Sequence, residues 1–192
     1  MNAFRSGLIR GTGAAVNVEL GFIPDLVIVT NHTDGDKIHI GQPGRQIIVF
    51  TSGSLALAAG QIITGATSGA TATIVDVLLD SGSYAGGDAA GWIVIDVQSK
   101  TGTFGTENIY VSSDGTSGVN DATIVVDVTY TQDIDTEVAG ATGNAAITAY
   151  VGTEAGYALG FTIGSTISED AKLLGYHAWR QTSGPNRAAN SL

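Results

Sequence analysis

GQIITGATSGATATIVDVLLDSGSYAGGDAAGWIVIDVQ, residues 60–98, decides the fold. It holds two apolar runs, Thr71–Leu79 and Gly91–Val97. Both alternate. Thr71, Thr73, Val75 and Val77 are expected on one face, with Ala72, Ile74 and Asp76 on the other. That is the period of a half-buried strand. The linker Asp80–Ala90 is nearly all Gly, Ser, Ala and Asp and reads as a long turn. A further strand, Gln61–Thr64, enters through the GATSGAT turn, where Gly65 and Gly69 are expected to take positive φ. Nothing in the stretch carries catalytic chemistry.

The rest of the composition agrees with strands. The chain has 192 residues, enough to bury a core, with 27 Gly and only 3 Pro. Val, Ile and Thr recur throughout, which favours strands joined by Gly-rich turns. The formal net charge is −10, and no cationic patch of the kind a nucleic-acid or membrane binder carries is visible. Cysteine is absent, which excludes disulfides and thiolate metal sites. No apolar run approaches the ~20 residues of a membrane helix. The opening MNAFRSGLIRGTGAA has no continuous apolar region, so it does not read as a secretory signal. The simplest expectation is a chain made and used in a cytoplasm.

Along the chain, residues 1–13 carry Arg5 and Arg10 among glycines and read as an extended arm or a frayed terminus. Strands are expected at Ala14–Leu20, Leu26–Asn31, Lys37–Gly41 and Gln46–Thr51. The middle pair is joined by an Asp-Gly hairpin turn, Thr33-Asp34-Gly35-Asp36. From Ser54 to Thr131 one base faces eight acids, which places −7 of the −10 in this segment. Asn108–Ser112 and Ala122–Tyr130 continue as strands within it. Gln132–Asn144 is polar and reads as a connection. Strands resume with Ala145–Val151, followed by Gly156–Ile163 and then Ser165–Asp170. In the aromatic stretch Ala171–Arg180, Tyr176 and Ala178 alternate with His177 and Trp179. A short helix from a cap at Ser168 is the alternative there, but Gly175 and the aromatics favour a strand. The tail, Gln181–Leu192, holds Arg187 and reads as a second arm.

The economical reading is all-β: a β-sandwich or barrel-like unit interrupted by a small inserted β domain. The base is residues 1–53 plus 132–192 with terminal arms, and the insertion is residues 54–131. A compact unit tolerates such an insertion because its ends lie close together at an exposed turn.

Candidate chemistry is sparse. His32 and His39 face each other across a turn, with Asp34 or Asp36 as a third ligand, but the spacing fits no zinc pattern and strand-edge hydrogen bonding explains them. Thr33–Lys37 has the look of a calcium loop without its distal Glu. No G-x-S-x-G elbow and no phosphate loop occurs. Tyr84, in a Gly-rich turn, and Trp92 are candidate glycan contacts, since an aromatic face stacks on a sugar ring. For Tyr84, packing over its own loop is the plainer reading. No cofactor or metal is expected, and no enzyme.

GFIPDLVIVTNHTDGDKIHI, with the distant GFTIGSTISEDAKLLGYHAWR, resembles small structural proteins of tailed-bacteriophage virions. GQIITGATSGATATIVDV, SGSYAGGDAAGWIVI and GTFGTENIYVSS resemble a Gly/Ala/Thr-rich β module inserted into many phage structural proteins. The likeness covers most of the chain and implies no active site. It implies a capsid decoration or cement protein on the outer shell, with the major capsid protein as partner. Alternatively, it implies a tail or fibre adhesin whose inserted module binds host glycan. The location expected is the virion, after synthesis in the host cytoplasm. Open sheet edges are commonly covered by neighbours, so a homotrimer or another closed ring is expected. Neither arm contains an acid, whereas the rest of the chain is strongly acidic. Arg5, Arg10 and Arg187 are therefore expected to reach onto an acidic neighbour.

Overall fold

The computed structural model describes residues 3–35, 37–111 and 147–152 together with 159–181, and the backbone course of 122–128 and 131–133. The chain is all-β. Its strands, in order, are β1 (Ala3–Arg10), β2 (Val16–Glu19), β3 (Leu26–Asn31), β4 (Ile38–Gly41) and β5 (Arg45–Gly53). Then come β6 (Ile62–Gly65), β7 (Thr71–Ser81), β8 (Ala89–Asp96), β9 (Glu107–Val111) and β10 (Ala122–Val128). The last are β11 (Thr131–Asp133), β12 (Ile147–Tyr150), β13 (Gly160–Ile163) and β14 (Leu173–Arg180). Among the described residues the one helical piece is a 3-10 turn at Val97–Ser99, capped by the Asp96 carboxylate, which accepts from the Gln98 N–H.

Two compact units form. The first comprises Met1–Arg45 with Thr129–Thr182; the second is built on Gln46–Val128. The first unit is a sandwich of a five-stranded antiparallel sheet, ordered β1-β14-β3-β4-β11, and a three-stranded sheet, ordered β12-β13-β2. Alternation does the building. In β3, Val27 and Val29 are buried while Leu26, Ile28 and Thr30 are half-buried. The inward residues of both sheets meet in one core: Val27, Val29, Leu174 and Ala178 from the larger sheet, and Ile147, Phe161 and Ile163 from the smaller. Gly41 of β4 sets how closely the sheets approach, since a Cβ there would lie 2.6 Å from Ile147 Cβ.

The second unit is a closed six-stranded barrel, ordered β10-β5-β8-β7-β6-β9, with β9 and β10 paired to complete it. Ile48 and Phe50 of β5 share its core with Ile63, Ile74, Ile93, Ile95 and Ile109. The strand phase along β7 differs from the simple alternation. A register shift between Ile74 and Asp76 inserts one residue. As a result Ala72 and Ile74 are buried ahead of it, but Val77 packs on the core beyond it. A β-bulge flips the inward face in this way, so Val77 leaves the group expected with Thr71 and Thr73.

Four expectations need correcting. The unit boundaries fall at Gln46 and Val128, not at Ser54 and Thr131. The last base before Lys100 is Arg45, so the bases themselves stop where β5 begins to turn its apolar face into the barrel. Residues 3–10 are no free arm: they pair with β14 from Ala3↔Arg180 to Arg10↔Leu173. The polar connection contains a strand, β11, which pairs with β4 through Gln132↔Ile40. Ser165–Asp170 is a turn, closed by the N–H of Ser168 donating to the carbonyl of Gly164 at 2.9 Å.

Candidate interaction surfaces

The five-stranded sheet buries one face and leaves the other largely uncovered. Register fixes which residues share the outward face. Phe4 lies opposite Trp179, Ser6 opposite His177 and Leu8 opposite Gly175. Trp179 continues to Leu26, and His177 to Ile28 and then Ile40. Phe4, Leu8, Ile38, Leu173 and Trp179 are all exposed large apolar side chains. Three aromatic rings cluster at one end. Phe4 stacks on His177 with centroids 6.1 Å apart and planes 13° apart, and Phe4 and Trp179 lie 5.3 Å apart.

The arginines of β1 do not form a single clamp. Positions 5 and 10 differ by an odd number along an unbroken register, so they point to opposite faces of the sheet. Both are exposed, and Arg5 donates to the carbonyl of Phe4 at 3.0 Å. Arg187 lies outside the described residues. β1 is an edge of its sheet. Charged side chains on an edge strand hinder edge-to-edge pairing, which accounts for their place there.

Tyr84 and Trp92 are not brought together. The Tyr84 ring stacks on Phe50 with centroids 6.4 Å apart and planes 4° apart. Burial pushes its phenol up, and a hydrogen bond with the Leu57 backbone opposes that. Its ring is thus spent on packing against the barrel core. Trp92 is 40% exposed, on the face of β8 away from buried Ile93, directly across from exposed Leu78.

The histidines also separate. His39 is buried on the inward face of β4, while His32 is exposed beside Thr30, with Thr30 Oγ1 and His32 Nε2 3.3 Å apart. The Asp-Gly hairpin turn is organised by Asn31 instead, whose side-chain oxygen accepts from the N–H of Thr33 and Asp34 at 2.9 and 3.1 Å. Lys172 holds Asp34 at 2.7 Å and draws its carboxyl below the usual range. Lys37 pairs with Glu169 at 2.8 Å. These contacts tie the turn to the loop before β14. Among the described residues, no group of three His, Asp or Glu is placed to hold a metal ion.

One buried carboxylate was not singled out by the sequence. Glu107 is 8% exposed and braces the GATSGAT turn. Its Oε2 accepts from the N–H of Thr67 and of Ser68, both at 2.8 Å, and its Oε1 from the N–H of Gly105 at 3.1 Å. Burial pushes its carboxyl up, but these bonds and one from the Ser68 hydroxyl outweigh that and bring it down to about 2. Gly69 takes the expected positive φ of 67°. Gly65 is needed for space instead, since a Cβ there would come within 2.7 Å of the Glu107 carboxyl.

The sheet face was half legible. The alternation of Tyr176 and Ala178 with His177 and Trp179 is in the sequence, but which set faces out depends on the sheet packed beneath, which includes β2 from far away in the chain. No family model, no curated protein and no solved structure matches this chain.

Proposed function

We propose that this protein is a virion structural protein that decorates and stabilises the capsid of a tailed bacteriophage as a cement protein on the outer shell. The observation that carries the reading is the placement of the segments that resemble phage structural proteins. GFIPDLVIVTNHTDGDKIHI forms the β3–β4 hairpin of the sandwich, and GFTI and LLGYHAWR form β13 and β14 of the same unit. The described part of the Gly/Ala/Thr-rich likeness falls within the barrel unit. Two separate likenesses thus coincide with two separate folding units. The role is mechanical: many copies hold shell subunits together through buried surface, with no reaction and no cofactor. The partner is the major capsid protein, and the decorating species is a homo-oligomer, with a trimer favoured.

Trp92, exposed beside Leu78 on the barrel, favours a second reading, a tail or fibre adhesin that binds host glycan. Tyr84 contributes nothing to it, because its ring packs on Phe50.

Incubating the purified protein with undecorated shells, then pelleting the shells, tests the reading. Saturable binding at a stoichiometry comparable with the shell subunits is expected. Failure to bind shells, with binding to tails or to host cells, would move the protein to the second reading.

A further inference from the structure

We infer that the outward face of the five-stranded sheet is the contact between copies of this chain. The inference rests on the homo-oligomer part of the reading above and assigns the surface that makes it.

Three observations point to a second copy. The first is area. Phe4, Leu8, Ile38, Leu173 and Trp179 expose 37–68% of their surfaces. That amounts to on the order of 500 Å² before the half-buried neighbours are counted, against about 800 Å² per partner in a standard interface. That lies toward the upper end of the roughly 300–600 Å² of a monomer's largest apolar patch, the range in which such patches are often functional.

The second is charge. The chain has 18 acids and 8 bases. Two such molecules repel at most orientations. On the outward positions of β1, β14, β3 and β4, the register places no carboxylate at all. This is a surface on which one acidic copy meets another without acid facing acid. Edge-to-edge pairing through β1, the edge next to the aromatic cluster, is opposed by Arg5 and Arg10.

The third is ring geometry. A sugar platform presents the flat of a ring to solvent. Phe4, His177 and Trp179 are instead packed ring against ring, with His177 and Trp179 5.9 Å apart and their planes at 29°. A mutually packed aromatic cluster on a sheet face suits apolar side chains, as in sheet-on-sheet packing.

The test is the assembly state, measured by sedimentation over a concentration series with the full chain. Wild type is expected to assemble reversibly. Leu8→Glu and Ile38→Lys place charges at exposed positions, so the fold survives while association weakens about 100-fold or more. Leu78→Glu, on the barrel, is expected to leave association unchanged. An assembly that persists in Leu8→Glu and Ile38→Lys overturns the face but leaves the homo-oligomer reading standing. A monomeric wild type at all concentrations overturns both, while shell binding, measured separately, still decides the decoration role.

Should either variant fold poorly, Ser6→Cys provides a second measurement, because the chain has no other cysteine. A short bismaleimide is expected to link copies through Ser6→Cys and not through Thr73→Cys on the barrel. Equal linking at both positions, or none at Ser6→Cys, would contradict the inference. So would a glycan that binds the monomer and is lost on Trp179→Ala.

Discussion

Replacing Glu107 with Gln is expected to destabilise the barrel by about 3 kcal/mol at neutral pH and by almost nothing near pH 2. The magnitude follows from linkage. The carboxyl is brought from its ordinary 4.5 down to about 2 in the folded chain. A difference of that size corresponds to about 3 kcal/mol, present in full above the unfolded value and lost as pH falls through the folded one. The window is therefore pH 4.5 down to 2. Glutamine has one acceptor oxygen for the three N–H groups of Thr67, Ser68 and Gly105, and its amide would point a donor at a donor. Protonated Glu107 has nearly the same deficit, which is why the two proteins converge in acid. The chain's two tryptophans make the assay clean, since Trp92 lies in β8 of the barrel and Trp179 in β14 of the sandwich. In a Trp179→Phe background, guanidinium unfolding followed by Trp92 emission reports the barrel alone. Other carboxylates titrate in both proteins, so the readout is the difference between them at each pH. A difference below about 1 kcal/mol at pH 7, or one that does not narrow below pH 4.5, would refute the claim that this carboxylate holds the turn.

Gly41→Val should destabilise the sandwich by about 1–3 kcal/mol, read from Trp179 emission, because its side chain runs into Ile147; a neutral result would mean the sheets are not packed there. Deleting residues 46–128 and joining Arg45 to Thr129 through a short Gly-Ser link should leave a folded sandwich, since adjusting loop closure costs only ~0.6 kcal/mol per doubling of length. Deleting 56–130 instead should yield a less soluble product, because it strips Ile48 and Phe50 of their barrel core; equal behaviour of the two deletions would undo the boundary drawn at Gln46. Lys37→Met should change stability by no more than about 1 kcal/mol, as its pair with Glu169 is partly solvated. A larger loss in thermal unfolding would assign the loop before β14 a greater role than its contacts support.

How much the sequence disclosed depends on the range of each contact. Alternation in Leu26–Asn31, Thr71–Leu79 and Gly91–Val97 located β3, β7 and β8 to within a few residues, because half-burial writes itself locally. The sheet to which Gln46–Thr51 belongs was not local information. Its alternating apolar pattern suits either unit, and only pairing with β8 and β10 assigns it to the barrel. β1 was hidden for a related reason: Gly7 weakens the strand signal, but it is there because a Cβ would strike the ring of Tyr176, nearly the whole chain away. Thr131–Asp133 carries no apolar signal and is a strand only because β4 offers it a partner. Of the candidate sites, Tyr84 was visible as an aromatic in a turn, yet its stacking on Phe50 required the barrel to close. The Phe4–His177–Trp179 cluster joins the two ends of the described chain, and no window of sequence contains it.

The proposed decoration role rests on where the protein sits in a particle and in what number. Quantitative mass spectrometry of purified virions, with cryo-electron microscopy of the same particles, measures both. The account predicts copies in numbers comparable with the major capsid protein, as regular density on the outer shell. Absence from the particle, or a few copies confined to the tail, would contradict it.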